Sequence, residues 1–296
     1  MTTELQPQPP KEQPLNSDQK SAKGRIFSRE LFVRSISAVI LAVGALYLTH
    51  HSFTSFIALA AIIALLMVWE WGKLTNNDTP LQLIIPAITI LTATTAFLTN
   101  EWPLFAASLI AGGFLAVWST HYWWRSKWAL KGLFYVGAPT LALLYLRRDA
   151  IFGFEAVLYV FLIVWATDTA AYFSGRYFGG KKLAPAISPG KTWSGTIGGL
   201  FAGLLTGALF AISLNSEPII LALIGLLLSA VAQIGDLAES AIKRHFGVKD
   251  SSHLIPGHGG ILDRLDGIVV AATVAAIIGG LHDFTAPGHG LLVWFA

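Results

Sequence analysis

The residues best suited to chemistry are concentrated in one run, residues 235–266, of a chain that is otherwise mostly apolar. If residues 235–244 continue the apolar helix before them, four polar side chains share one face of that helix, because positions i, i+3, i+4 and i+7 align. These side chains are Asp236, Glu239, Ser240 and Lys243. Ionisable groups at the mouth of a membrane helix are costly, so this face calls for a function.

A second acidic pair follows in the same run. Asp263 and Asp266 are three residues apart, so their carboxylates stack if this segment is helical. Two acidic faces in contact would suit Mg²⁺, which prefers carboxylates together with substrate phosphate oxygens. Basic side chains around both pairs would suit a phosphate-bearing substrate. They are Lys243, Arg244, Lys249 and Arg264.

Asp168 lies near the end of another apolar segment, where a lone carboxylate needs a partner. One interpretation is a structural ion pair with Arg176 or a nearby lysine. In the other interpretation, Asp168 forms a polar wall of the site and can be a cation ligand. Arg176 would then be a substrate contact.

The segment Ser188 to Thr192 offers hydroxyls, backbone N–H groups and the Lys191 ammonium just before a predicted helix, where phosphate can bind. It is not a nucleotide-binding P-loop, because Pro185 stands where that motif needs glycine and no strand is predicted before it. A basic loop that only sets membrane topology or contacts anionic lipid is the alternative for any lysine here.

Two further residues have weaker signals. His258, in a glycine-rich loop before Asp263, is a candidate substrate contact, although a loop histidine is commonly a surface residue. Glu70 lies between Trp69 and Trp71 and is interpreted as a structural anchor at the membrane interface.

The composition indicates a membrane protein. The 296 residues are 54% hydrophobic and 12% charged, about half the charged fraction of soluble domains. Because there is no cysteine, disulfides, thiol nucleophiles and thiolate metal sites are excluded. The net charge of +3 gives no reason to expect a nucleic-acid partner.

Hydropathy predicts an all-α polytopic membrane protein with about nine transmembrane helices. The predicted spans are 31–49, 53–71, 81–98, 103–120, 129–146, 156–174, 196–214, 218–233 and 267–281. With a cytoplasmic N-terminus, all of the 20 Lys and Arg except Arg147 and Arg148 fall on the cytoplasmic side, as the positive-inside rule requires. Residues 1–30 are predicted to be a disordered cytoplasmic tail, and residues 31–296 a single transmembrane catalytic domain whose part 156–285 carries the site.

The run from Ser240 to Asp266 resembles the signature of the phosphatidate cytidylyltransferases, also called CDP-diacylglycerol synthases. The matching positions are Ser240, Lys243, Arg244, Lys249, Asp250, Pro256, His258, Gly259, Gly260, Asp263, Arg264 and Asp266. The Asp168 to Gly179 segment, the Ser188 to Trp193 segment and Trp69 to Gly72 also look like the bacterial members.

This resemblance implies a reaction in which CTP and phosphatidate give CDP-diacylglycerol and pyrophosphate in the bacterial cytoplasmic (inner) membrane. It also implies a homodimer, with Mg²⁺ and K⁺ at the site. By the same resemblance, Asp236 and Asp263 correspond to metal-binding carboxylates, and Ser240 and Lys243 to the site hydroxyl and amine.

The hypothesis is direct nucleotidyl transfer, catalysed by positioning and charge neutralisation. Mg²⁺ is assigned to Asp236 and Asp263, with Asp266, Asp168 and Glu239 as additional or supporting ligands. Phosphates are assigned to Lys191, Lys243, Arg244 and Arg264. Two alternatives remain: a CDP-alcohol phosphatidyltransferase, whose aspartate spacing this chain lacks, and a membrane transporter of an anionic solute, which would place its site near the bilayer midplane.

Overall fold

Helices make up most of the computed structural model, which describes residues 40, 42–120, 123–252, 254 and 259–294, with the backbone alone at 123–126. Apolar runs take this form because a helix satisfies its backbone hydrogen bonds internally, without water. Residues 42–51 are helical and precede the first element. The elements in chain order are α1 (Phe53–Leu74), α2 (Pro80–Leu98), α3 (Trp102–Trp118), α4 (Trp123–Arg147), α5 (Gly153–Phe178), β1 (Lys182–Ala184), β2 (Ser188–Thr192), α6 (Trp193–Leu214), α7 (Pro218–His245), α8 (Leu262–His282) and α9 (Pro287–Leu292).

Seven of the described helices are long and apolar enough to cross a membrane, which makes the chain an all-α protein of several spans. The fourth predicted span is present as α3, but this helix has only 17 residues. Most of the first predicted span lies outside the described residues, although residues 42–49 are helical. The count of nine therefore stays a prediction.

The helices that carry the polar residues are longer than hydropathy predicts. α7 continues past residue 233 to His245, so the condition for one shared polar face is met. Lys243, Arg244 and His245 occupy its last turn, where positive charge is favourable at a helix C-terminus. α8 begins at Leu262, which places Asp263 in its first turn and makes the Asp263–Asp266 segment helical.

A two-stranded hairpin between α5 and α6 was not predicted. β1 and β2 pair antiparallel, with Lys182 opposite Thr192 and Ala184 opposite Ser188. The expectation that no strand precedes Lys191 is therefore wrong. The P-loop remains excluded, because β1 has three residues and belongs to a hairpin rather than to a strand–loop–helix unit.

Glycines let α5, α6 and α7 pack with their backbones in contact. Gly195, Gly199, Gly203 and Gly207 are spaced four apart on α6 and are all buried. A Cβ atom at Gly203 would lie 2.8 Å from the carbonyl oxygen of Gly225 on α7, and one at Gly195 would lie 2.8 Å from that of Ala171 on α5. Small residues at this spacing are a common means of close helix packing in membranes. The three helices therefore form a fixed frame for the polar ends of α5 and α7.

Candidate active site

The two acidic faces meet where α7 and α8 touch at Gly235. A Cβ atom at this position would lie 2.6 Å from the carbonyl oxygen of Asp266, so the close approach requires glycine. Asp236 follows directly on α7. One turn later, Glu239 is close enough to interact electrostatically with both Asp236 and Asp263. The crossing thus brings carboxylates from two separate segments into one cluster.

Lys243 lies between two of these carboxylates. Its Nζ is 2.8 Å from Oε2 of Glu239 and 2.6 Å from Oδ1 of Asp263. The exposed fractions of the Lys243, Glu239 and Asp263 side chains are 12%, 1% and 8%. Charges so far removed from water are retained only when they are paired, and Lys243 is the ionic partner that both acids share.

Asp236 is paired with a lysine from a different element. Oδ2 of Asp236 is 2.6 Å from Nζ of Lys191 on β2. Both side chains are partly open to solvent, with exposed fractions of 32% and 24%. On the other side, the Ser240 hydroxyl donates to Oδ1 of Asp236 over 3.4 Å. The hairpin therefore places the Lys191 ammonium beside Asp236 on α7.

The second oxygen of Asp263 is held by the loop before α8. Oδ2 accepts hydrogen bonds from the Ser251 backbone N–H (2.9 Å), the Ser251 hydroxyl (3.0 Å) and the Gly260 N–H (2.8 Å). Gly259 has a φ of 82°, a conformation that glycine adopts without strain. With Lys243 on Oδ1, the carboxylate of Asp263 is oriented from both sides.

Asp168, Arg264 and Asp266 complete the cluster. Asp168 on α5 interacts electrostatically with Asp236, Lys191 and Arg264. Asp266 accepts a hydrogen bond from the Gly267 N–H over 2.7 Å. Arg176, the partner considered for Asp168 from the sequence, instead donates over 3.0 Å to the hydroxyl of Tyr172 one turn earlier on its own helix.

In the described part of the chain, this charged cluster consists of five carboxyl groups and three cationic side chains. They are Asp168, Asp236, Glu239, Asp263 and Asp266, with Lys191, Lys243 and Arg264. When all are ionised, two negative charges are in excess, which suits a divalent cation with a preference for oxygen ligands. No three acidic or histidine side chains among the described residues converge as ligands of one ion. The donor set still fits Mg²⁺, which often binds through one or two carboxylates plus substrate phosphates.

Two predicted substrate contacts belong to the hairpin. The hydroxyl of Thr192 is buried and caps α6, accepting a hydrogen bond from the Gly195 N–H over 3.1 Å. Ser188 opens β2 opposite Ala184. These positions give both hydroxyls a place in the fold, and their contact with substrate stays a prediction.

The remaining predicted cations lie at the edge of the cluster. Arg244 is exposed and donates to the carbonyl oxygen of Ile187 over 3.3 Å, which joins the end of α7 to the hairpin. Lys249 is exposed beyond the end of α7. His258 lies outside the described residues, so its role stays a prediction.

Glu70 contributes to this region although sequence analysis placed it at the membrane interface. Its side chain is fully buried, accepts hydrogen bonds from the Ser252 hydroxyl and from the backbone at the start of α8, and lies 3.1 Å from the Ser251 hydroxyl. The structural role predicted for Glu70 is therefore confirmed, but its partners belong to α8 and the loop before it rather than to the flanking tryptophans. The available signal was the carboxylate itself, since an acid within an apolar helix must have a polar partner.

Tyr135 on α4 is the second residue that sequence analysis missed. Its ring stacks on Trp71 with centroids 5.0 Å apart, and its hydroxyl is buried without a hydrogen-bond partner among the described residues. The hydroxyl is near enough to interact electrostatically with Glu239, Asp236, Asp263 and Asp266. Nothing in the sequence distinguished this tyrosine from the other aromatic residues of the helices.

Comparison with known proteins explains why these residues occur together. The sequence matches the cytidylyltransferase family over residues 32–282. The chain belongs to this family. Among its relatives, the phosphatidate cytidylyltransferase of Brucella melitensis is 42% identical over 271 residues, which cover 90% of this chain and 98% of the relative.

Two other relatives with the same name align over shorter regions. The protein of Haemophilus influenzae is 45% identical over 47% of this chain and 50% of its own length. That of Staphylococcus aureus is 44% identical over 52% of this chain and 58% of its own length. The region matched by the cytidylyltransferase family contains the whole charged cluster as well as Glu70 and Tyr135.

Proposed function

We propose that this cytidylyltransferase joins CTP and phosphatidate to give CDP-diacylglycerol and pyrophosphate, a step of phospholipid biosynthesis. The observation that carries the proposal is the charged cluster, in which lysines neutralise carboxylates at the junction of α5, β2, α7 and α8. The names of the relatives supply the two substrates.

The chemistry needs little from a general base. The phosphate of phosphatidate is already an anion, so one of its oxygens can attack the α-phosphorus of CTP as pyrophosphate leaves. The P–O bond to the incoming phosphate forms while the bond to the β-phosphate breaks. Catalysis then depends on holding the two anions in line and on neutralising charge as it develops.

Lys191 and Arg264 are placed to hold phosphate groups. The Lys191 side chain is partly exposed, and its buried ammonium is paired with a single carboxylate, so a phosphate oxygen could replace Asp236 as its partner. Arg264 is exposed beside Asp168 and presents a planar fork of donors suited to phosphate. Lys243 is more deeply buried, so its part is to keep Asp263 ionised and oriented rather than to exchange partners.

Asp236 and Asp263 would hold Mg²⁺, with Asp266 and Asp168 as supporting carboxylates nearby. The ion would supply Lewis-acid neutralisation of phosphate charge. Release of Lys191 from Asp236 would free an ammonium for the substrate at the same time as a carboxylate becomes available for the cation. K⁺ as a second ion rests on the family resemblance.

The membrane arrangement is part of the proposal. A cytoplasmic N-terminus and nine spans place the charged cluster on the cytoplasmic side, where CTP is found, and leave only Arg147 and Arg148 of the 20 Lys and Arg on the other side. The acyl chains of phosphatidate stay in the bilayer beside the site. The proposed location is the cytoplasmic (inner) membrane of a bacterium. The proposed oligomeric state is a homodimer.

Incubation of the purified protein in detergent with labelled CTP and phosphatidate tests the reaction. The expected products are labelled CDP-diacylglycerol and pyrophosphate, and activity should disappear when EDTA removes Mg²⁺. Parallel reactions with CDP-diacylglycerol and an alcohol test the phosphatidyltransferase alternative. Product in those reactions alone, or no product from CTP in any divalent cation, would contradict the proposal.

Tyr135→Phe should lower kcat/KM by roughly 10-fold or more, because we expect its unpartnered hydroxyl to donate a hydrogen bond to a charged group of the bound substrate, and such a bond is worth about 1.5–3 kcal/mol. The hydroxyl has no partner among the described residues, so the substitution should leave the thermal unfolding temperature unchanged or raise it. A steady-state assay and a thermal unfolding curve measure the two effects.

Tyr159→Phe is the matched control, because that hydroxyl donates to the Leu221 carbonyl over 2.7 Å in the core. The control should lose stability and keep its activity. Lower stability with normal activity in Tyr135→Phe would show that its hydroxyl is only structural.

A further inference from the structure

The start of α8 is held by a carboxylate from the far end of the sequence. Glu70 on α1 has no exposed surface. Its Oε1 accepts hydrogen bonds from the Ser252 hydroxyl (2.6 Å) and the Ile261 N–H (2.9 Å). Its Oε2 accepts from the Leu262 N–H (2.8 Å) and is 3.1 Å from the Ser251 hydroxyl. All four contacts are to the segment that leads into Asp263.

This carboxylate takes the place of a local helix cap. The residue before α8, Ile261, has a side chain that cannot accept a hydrogen bond, and no side-chain cap is present there. The first N–H groups of a helix need acceptors, and a negative charge near them is favourable. Glu70 meets both needs from 191 residues away in the sequence.

Ser251 connects this cap directly to the charged cluster. Its hydroxyl is 3.1 Å from Oε2 of Glu70 and 3.0 Å from Oδ2 of Asp263. Gly260, whose N–H donates to the same oxygen of Asp263, packs against Glu70 so closely that a Cβ atom would lie 2.6 Å from Oε2. Any displacement of the Glu70 carboxylate would therefore move two of the groups that orient Asp263.

We infer that Glu70 is a positioning residue for cytidylyl transfer, which fixes Asp263 through Ser251 and through the first turn of α8 and does not itself touch substrate. The inference goes beyond the proposed reaction and rests on the role proposed there for Asp263. It assigns to the N-terminal half of the chain a direct part in building a site whose charged residues all lie in the C-terminal half.

Glu70→Gln tests this role with little change in size. The amide nitrogen of glutamine cannot accept a hydrogen bond. It would replace one carboxylate oxygen, and the N–H and O–H groups that now donate to that oxygen would lose their acceptor. We expect kcat to fall by about 10- to 100-fold, the usual loss when a residue that supports a ligand is changed. The KM for CTP should change by less than about threefold, because small misplacements reduce the rate more than they reduce binding. The Mg²⁺ concentration for half-maximal activity should rise.

Glu155→Gln is the matched control, since it makes the same change at a half-buried acid in the first turn of α5. It should leave kcat, KM and the Mg²⁺ response unchanged. A folded Glu70→Gln protein with wild-type kcat would overturn the inference. So would a loss expressed only in KM, or only in the unfolding temperature.

Ser251→Ala provides a second route to the same answer. It removes the side chain that links Glu70 to Asp263, so kcat should fall with little change in KM. In the double variant with Glu70→Gln, the two losses should be less than multiplicative, because both act through one contact. Fully multiplicative losses would count against the inference. If Glu70→Gln does not fold in detergent, wild-type kcat in Ser251→Ala overturns it, and a lowered kcat with unchanged KM supports it.

Asp263→Asn, measured alongside, separates this inference from the site on which it rests. Full activity in Asp263→Asn would remove the proposed role of Asp263 and with it the reason for Glu70 to matter. An inactive Asp263→Asn together with a fully active Glu70→Gln would remove only the role of Glu70.

Discussion

Asp236→Asn is expected to lower cytidylyl transfer by about 100-fold or more while the protein stays folded. Losing one preorganised electrostatic contact to a transition state typically costs 10²–10³ in rate, and the loss of a metal-binding carboxylate belongs in this range or above it. Folding should survive because the side chain is 32% exposed and asparagine has nearly the same size. The measurement is the initial rate with saturating CTP and phosphatidate, alongside thermal unfolding in the same detergent.

Asp78→Asn is a suitable control, because it makes the same chemical change at an exposed position between α1 and α2. It should be as active as the unchanged protein. Full activity in Asp236→Asn would remove this residue from the proposed site. A large loss in both variants would point instead to a general effect of lost charge.

Lys243→Met is expected to have the largest effect on stability, about 3–5 kcal/mol, together with loss of activity. Removing one partner from a buried ion pair leaves the other charge without compensation. Here two carboxylates would lose the same partner, and Glu239 is only 1% exposed. Chemical or thermal unfolding in detergent measures the loss of stability, and the CTP assay measures the loss of rate.

A compensating change separates the two effects of Lys243. Glu239→Gln removes the buried charge that Lys243→Met leaves unpaired, so the double variant should regain much of the lost stability. It should not regain activity, since Asp263 would still lack its partner at Oδ1. If stability and activity return together, Lys243 acts only through Glu239. If neither Lys243→Met nor the double variant is less stable than the unchanged protein, the ion pairs of Lys243 do not contribute to the free energy of unfolding.

The relation between these residues could be read only partly from the sequence. The shared face of Asp236, Glu239 and Lys243 follows from helical spacing alone, and α7 has that face. What spacing could not give is the partner of each carboxylate. Asp236 is paired with Lys191, 45 positions earlier in the numbering of the chain, because the unpredicted hairpin turns that lysine towards α7.

The same limit explains the residues that were misplaced or missed. Arg176 was a reasonable partner for Asp168 by proximity in the sequence, yet it is bonded to Tyr172 on the outside of α5. The role of Glu70 was interpreted from the tryptophans on either side of it, although its hydrogen-bond partners lie beyond residue 250. Glu70 owes its role to contacts far away in the sequence, whereas Arg176 is bonded to a residue one turn away on its own helix.

The sequence by itself determined the membrane helices, the polar face of α7 and the stacked pair of Asp263 and Asp266, since hydropathy and helical period are local properties of the chain. The tertiary structure alone decided which charges neutralise each other, which acid caps α8 and which aromatic hydroxyl reaches the cluster. These are contacts between segments far apart in sequence, and they depend on how closely the helices pack, as at Gly235, where a single side-chain carbon would separate α7 from α8.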